Sequence, residues 1–389
     1  MLRTLLLAAV AATLAADPLA AQSDRVPERP RLAADADTND AQAYYDDGLS
    51  RLTRQPDKAA DAFYWAARLS PTWAEPFYAR RAALHLRNKP QLLRYLTQER
   101  AASSKAARSI DSLAAEAMLR KPFFVPRFDR TLIQEAIDFA SDGQSYLTRM
   151  RTGDAAYDAW LAFSDGRLAE ATRLYGDALK RKPKDYELRA PRARAFYLQL
   201  QYDSAASELT LLLAEMRRKD EKELVFYYDS KAMLEYSLGR AYFQLASYDS
   251  ATAALGRALE EDLSFHMAHV SLAEIALVRG DTATALNELS LAAELRGTDA
   301  GTRLLYGQAL AGAKRHADAA EQFRKAIEHE PFFALPYFHL AEALEAQTKP
   351  ADAAAQYREF VARAPRTLRE RDTARERLAR LDAAGGARP

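Results

Sequence analysis

The sequence contains no cysteine, which removes disulfides, thiol nucleophiles, cysteine-ligated zinc and lipidated cysteine anchors together. Glycine is scarce, 14 in 389 residues or about half the usual share. The few that occur are not clustered as a phosphate-binding loop requires, and GxSxG, P-loop and HExxH patterns are all missing. Net charge is nearly absent too: 55 lysines and arginines face 54 acidic residues. No whole-molecule field therefore draws the chain to nucleic acid or to an anionic membrane. What remains is an ordinary folding composition, 49% hydrophobic and 28% charged, well away from the signature of disorder. Alanine, leucine, glutamate and arginine recur throughout, and their propensities favour helix over strand.

The first residues, MLRTLLLAAVAATLAADPLAAQSD, have the order of a secretory signal: Arg3, an apolar stretch from Leu5 to Ala16, then small residues up to Ala20 and Ala21. The stretch is well short of the roughly 20 apolar residues that span a bilayer. Residues 1–21 are expected to be a signal peptide cleaved near Gln22, making the protein exported, periplasmic or secreted, with no stable membrane insertion afterwards. Residues 22–39 carry Pro27, Pro30 and many charges without helical periodicity, and are expected to be a flexible linker.

A period of 34 governs the rest. Ala251, Ala285, Ala319 and Ala353 follow one another at that spacing. Leu255, Leu289, Phe323 and Tyr357 keep step four residues later, and Ala258, Ala292, Ala326 and Phe360 three residues further on. Upstream, Ala171, Tyr175 and Ala178 precede Ala205, Leu209 and Leu212 by the same interval. First-helix marks appear at Leu238, Gly239 and Tyr242, at Gly307 and Leu310, and at Leu340, Ala341 and Leu344. Pro183, Pro331 and Pro365 close units. A small residue opening a second helix lets its partner approach closely, a large one a turn later fills the gap, and proline cannot continue the helix.

This pattern resembles the tetratricopeptide repeat (TPR) family, whose unit is W-x2-L-G-x2-Y, A-x3-F and P over two antiparallel helices. The resemblance implies an all-α chain, an alpha-alpha superhelix or TPR solenoid of antiparallel helix pairs. Six units are expected across residues 152–367, with an insertion near 218–231, because Ala205 and Ala251 are 46 apart, 34 plus 12. Glu235 and His269 stand where an aromatic residue is expected. Tyr44, Gly48, Ala59, Phe63 and Pro71 suggest a further unit over 40–73 with one residue missing from its turn. Residues 74–151 read as irregular and helical with degenerate repeats, and 368–389 as a capping helix and tail, since an array needs a polar end.

No catalytic constellation and no cofactor or metal site is expected. His266 and His269, three apart, read as packing residues rather than ligands, and Glu260 with Glu261 as solvated. The resemblance places a binding surface on the concave face, lined by first helices. Adding 34, or 46 across the insertion, gives three columns there. One is Trp160, Arg194, Arg240, Glu274, Gln308 and Glu342; the second Phe163, Tyr197, Phe243, Leu277, Ala311 and Glu345; the third Ala156, Ala190, Tyr236, Val270, Leu304 and Phe338. Aromatic and arginine residues dominate binding hot spots, so Trp160, Phe163, Arg194, Tyr197, Tyr236, Arg240 and Phe243 are the candidate partner-binding residues. The expectation is a non-catalytic scaffold holding a protein or an extended, acidic-aromatic peptide. An alternative is an accessory subunit of an envelope enzyme or transport assembly, docked through the basic helices of 80–108.

Overall fold

A computed structural model describes residues 26–96, 105–139, 155–220 and 230–386. The signal-peptide expectation, the heart of the insertion and residues 97–104 of the region expected to dock a partner lie outside the described residues. Among the described residues there are 19 α-helices and no strand, and no helix is long and apolar enough to cross a membrane. The chain divides into two compact units. The first is built mainly from Arg51–Ala60 and Phe77–Ala268, the second from Pro27–Ser50, Asp61–Pro76 and His269–Pro389.

The register appears as six helix pairs. They are α7 (Ala155–Ser164) with α8 (Leu168–Arg181), α9 (Arg189–Leu198) with α10 (Tyr202–Asp220), and α11 (Lys231–Gln244) with α12 (Tyr248–Glu261). There follow α13 (His266–Val278) with α14 (Thr282–Leu295), α15 (Ala300–Gly312) with α16 (His316–His329), and α17 (Leu335–Ala346) with α18 (Pro350–Arg363). Ala251, Ala285, Ala319 and Ala353 are all fully buried at the start of second helices. The small first-helix residue serves the same approach: a Cβ on Gly307 would meet the Phe323 ring at 2.4 Å, and one on Gly239 would meet Leu255 Cγ at 2.8 Å.

Each pair turns through one left-handed residue: Gly166, Leu200, Ala246, Gly280, Lys314 and Thr348. The intervals are again 34, 46, 34, 34 and 34 (200−166, 246−200 and so on). Two of the six are glycine; the others hold a conformation that costs an L-residue roughly 1–2 kcal/mol. Where the family aromatic is lost, a polar pair stitches first helix to second. Arg189 Nη1 donates to Glu208 Oε2 at 2.7 Å, His269 Nδ1 lies 2.7 Å from Glu288 Oε2, and Arg303 Nη1 donates to Gln322 Oε1 at 2.8 Å. The partners are 19 residues apart each time, so the stitch itself repeats. Glu235 is instead clasped by Arg217 and Arg257. A buried charge removed from water needs such partners.

Near the N-terminus the chain forms α1 (Ala41–Arg51) and α2 (Pro56–Leu69), and within the second unit Gly48 of α1 lies against the Phe63 ring of α2. The shortened turn that follows α1, residues 52–55, carries no positive φ. Residues 27–39, expected to be a flexible linker, are held instead. Trp65 Nε1 donates to the Pro27 carbonyl at 3.1 Å, and the Arg29 guanidinium lies over the Tyr44 and Trp65 rings. Asn39 Nδ2 donates to the Ala362 carbonyl at 2.8 Å, and Arg68 pairs with Glu330 at 2.7 Å. Trp65 meets Phe332 edge-on, at 4.9 Å between centroids. Aromatic and arginine contacts of this kind outweigh the local absence of periodicity. At the other end α19 (Glu370–Gly386) covers the last pair with Leu378 and Leu381.

Residues 74–139 depart from the array for an identifiable reason. Helix α3 (Glu75–Leu86) starts four residues after Pro71, as α17 starts four after Pro331, so the repeat frame continues that far. But Arg81 stands ten residues after Pro71, where the same count from Pro331 reaches Ala341. A buried arginine cannot act as the small crossing residue. Its Nε donates to Asp111 Oδ1 at 2.8 Å, Nη1 to Asp129 Oδ1 at 3.2 Å and Nη2 to Tyr95 Oη at 3.2 Å; His85 Nε2 lies 3.1 Å from Asp111 Oδ1. This ionic hub joins α3 to α4 (Lys89–Leu96), α5 (Lys105–Arg120) and α6 (Arg127–Phe139). Burial alone would raise Asp111, yet Arg81 and His85 hold its carboxyl down at about 2. Burial pushes the Asp129 carboxyl up against the pull of Arg81, and lowers His85. The basic helices expected as a docking surface therefore turn Arg80 and Arg81 inward.

Candidate functional site

The three concave columns have different fates along the array. In the first unit, Phe163 (1% exposed) and Tyr236 (2% exposed) are core residues and cannot present a ring to a partner. Phe163 packs with Ala159 and Tyr175 between α7 and α8, and Tyr236 lies edge-on to Phe265. Tyr197 and Arg194 face a segment of the chain itself. The Phe123 ring stacks on Tyr197 with centroids 3.6 Å apart, and the Arg194 guanidinium lies over Phe124 at 5.9 Å. Trp160, stacked on Tyr157 at 5.7 Å, remains half-buried, as do Arg240 and Phe243, where the cation lies 5.1 Å from the ring centroid. All five of Trp160, Arg194, Tyr197, Arg240 and Phe243 are half-buried, and of these Arg194 and Tyr197 lie against Phe124 and Phe123.

In the last pair the acidic members of the columns are also satisfied within the chain. Arg377 of α19 reaches Glu342 Oε1 at 3.2 Å and Glu345 Oε2 at 3.1 Å, while the Tyr357 hydroxyl donates to Glu345 at 2.6 Å. His339 Nδ1 lies 3.0 Å from Glu342 Oε2.

Between these stretches, in the second unit, a cleft of about 370 Å³ lies along α13 and α15. Val270, Ala273, Glu274 and Leu277 form one wall; Leu305, Gln308, Ala309 and Gly312 form the other, and Leu289 of α14 contributes to the lining. Leu277 and Leu305, 45% and 40% exposed, bring apolar surface to the two sides of this cleft. Small residues line the opening on both sides, Ala273 on α13 and Ala309 and Gly312 on α15. Glu274 and Gln308 bring polar groups to an otherwise apolar surface, and Gln308 Nε2 reaches His339 Nε2 at 2.9 Å. Val270, Glu274, Leu277 and Gln308 belong to the columns read from sequence, whereas Leu289, Leu305 and Gly312 lie outside them. Leu305 was detectable only as an apolar residue two positions before Gly307, on the side of the helix that the columns did not follow.

Among the described residues no group of three or more histidine or acidic side chains is arranged to hold a metal ion. His269 is occupied by Glu288, and His266 is buried.

No family model and no curated protein sequence matches the chain. Among solved structures it is similar to the C-terminal part of a TPR repeat-containing protein from Cytophaga hutchinsonii, at 18% identity and a TM-score of 0.47, covering 60% of this chain and 100% of that one. It is also similar to MamA from Desulfovibrio magneticus, at 18% identity over 46% of this chain and 95% of that one, TM-score 0.39. A third is YrrB, a TPR protein described as having an unusual peptide-binding site, at 18% identity over 50% of this chain and 93% of that one, TM-score 0.39. The chain's own 34-residue register and its repeated left-handed turns give residues 155–268 of the first unit and 269–363 of the second an all-α repeat fold of the tetratricopeptide type.

Proposed function

We propose that the protein is a non-catalytic interaction scaffold that receives a polypeptide segment in the α13–α15 cleft. The observation that supports this reading is the cleft itself, an apolar surface with Leu277 and Leu305 exposed on its two walls. Exposed apolar surface in a concavity is costly in water and is relieved by a partner. The segment would place apolar side chains on Leu277, Leu289 and Leu305, and hydrogen-bond donors toward Glu274 and Gln308. A wall of rigid helices is pre-organised, so little binding energy goes into ordering the receptor.

Selection from a random peptide library on the intact chain tests this. Wild type should enrich sequences whose binding is lost in the Leu277→Arg/Leu305→Arg variant, whose exposed substitutions should shift stability by only about 0.5 kcal/mol. Enriched peptides that bind both proteins equally would overturn the reading. The scaffold is further proposed to act after export, a reading supported by the order of charged, apolar and small residues in 1–21. N-terminal sequencing of protein recovered outside the cytoplasm should find a start near Gln22; intact Met1 in the membrane fraction would contradict it.

A further inference from the structure

Residues 121–126, Lys-Pro-Phe-Phe-Val-Pro, are the extended connection between α5 and α6 in a unit otherwise built of helices. They are gripped as a ligand is gripped. Phe123 enters an apolar cluster with Ala190, Ala193, Leu209, Leu234 and Leu238 while stacking on Tyr197 at 3.6 Å and an interplanar angle of 9°. Phe124 lies between the Arg194 guanidinium and the Tyr78 ring, whose centroid is 4.7 Å away. Just ahead of the segment, the Leu119 carbonyl accepts from the Tyr236 hydroxyl at 3.4 Å.

The receiving residues are not arbitrary. Ala190, Ala193, Arg194 and Tyr197 each stand 80 residues before Val270, Ala273, Glu274 and Leu277, one interval of 46 and one of 34, and those four form a wall of the open cleft. The same helix face therefore carries the chain's own aromatic segment in one unit and borders an open cleft in the other. The charge also fits: the flanks of the segment are basic, Arg120, Lys121 and Arg127, so its hold on the face depends on the two rings and not on pairing with Arg194.

We propose that the face of α9 and α11 is a second ligand groove, kept closed by residues 119–126, and that it accepts in their place an extended segment with two consecutive aromatic residues bounded by prolines. The segment held in place is aromatic with basic flanks, which differs from the acidic-aromatic ligand expected from Arg194 and Arg240. A tethered segment acts at an effective concentration on the order of millimolar, so a free peptide of ordinary affinity is excluded until the tethered rings are removed. The proposal concerns the first unit and stands or falls separately from the cleft of the second.

The test uses the full chain and a fluorescein-labelled peptide of residues 119–128, read by fluorescence anisotropy. Wild type should bind it at least about tenfold more weakly than the Phe123→Ala/Phe124→Ala variant. Adding Arg194→Glu and Tyr197→Ala to that variant should abolish binding, and a scrambled peptide should not bind. Helix content by circular dichroism is measured first. If the double-alanine chain loses helix, the same titration on Phe123→Leu/Phe124→Leu, which keeps apolar bulk, decides the matter. Equal binding to wild type and variant, binding that survives the groove substitutions, or no binding by either variant would overturn the proposal and leave Phe123 and Phe124 as ordinary core residues.

Discussion

The faces of α9 and α13 differ by one circumstance that their own sequences do not contain. At α9, Arg194 and Tyr197 sit under Phe124 and Phe123; at α13, Glu274 and Leu277 stand at the same repeat positions and border an open cleft. Both helices have a small residue at the crossing, Ala193 and Ala273, and both end in a left-handed turn, at Leu200 and Gly280. The repeat thus builds equivalent surfaces, and an irregular segment elsewhere decides whether one is free. That segment is fixed from behind by the ionic hub, since Asp111 lies on α5 and Asp129 on α6, the helices that bound it.

The strongest way to break the contrast is to remove the hub. Arg81→Met would remove the cation shared by two buried carboxylates, leaving Asp111 its contact with His85, and loss of one partner of a buried pair costs about 3–5 kcal/mol. Hydrogen exchange should then accelerate in α5, α6 and α9 while α13 and α15 stay protected. Uniform protection throughout would mean that the hub does not hold the segment.

The open side can be tested by overpacking. Ala319 is fully buried where α16 crosses α15, the helix that forms one cleft wall. Ala319→Phe should cost on the order of 3 kcal/mol in chemical denaturation and weaken any cleft ligand, with little effect on the α9 face.

Acid should act on the filled side. Asp111 is held at about 2 against an ordinary 3.8, so its contribution is complete above about pH 4 and is lost as the pH falls toward 2, on the order of 2 kcal/mol. His85 is lowered from 6.5, so the fold keeps it neutral and stability also declines below that pH, where the unfolded chain takes up the proton first. Asp129, raised by burial, has the opposite sign and partly offsets the loss. Thermal midpoints should therefore fall on acidification from pH 7 to 5, and fall less in a His85→Gln chain.

The smallest effect sharpens the comparison at the turn ending α9. Leu200 is exposed with φ of 62°, so Leu200→Gly should relieve left-handed strain against the greater entropy lost by glycine, a net gain of about 0.5 kcal/mol in denaturant unfolding. A destabilised variant would show that the Leu200 side chain contributes packing that outweighs the strain.

Much of this was legible before any coordinates. The alanine columns fixed the crossings, and the one-residue deficit in the first pair emerged as a turn without a left-handed residue. Glu235 and His269 signalled departures from the aromatic rule, but not that each finds a charged partner across its pair. Position alone also put Phe163 and Tyr236 among the candidate partner-binding residues, because spacing gives the face of a helix without saying how closely the next helix covers it. The second repeat, begun by α3, was hidden because Arg81 replaces the small residue that marks the others.

The sequence by itself determined the helix pairs, their period and their turns, because each depends on side chains no more than a few helical turns apart, and 34 residues bring the same contacts round again. Which concave face stays open was decided only in the tertiary structure. Phe123 and Tyr197 are 74 residues apart and share no periodicity, and the same is true of Arg68 and Glu330, whose contact holds the N-terminal pair to the last repeats of its unit. Such contacts follow from shape and burial at long range, where the free energy of covering two aromatic rings outweighs any local preference of an extended segment bounded by prolines.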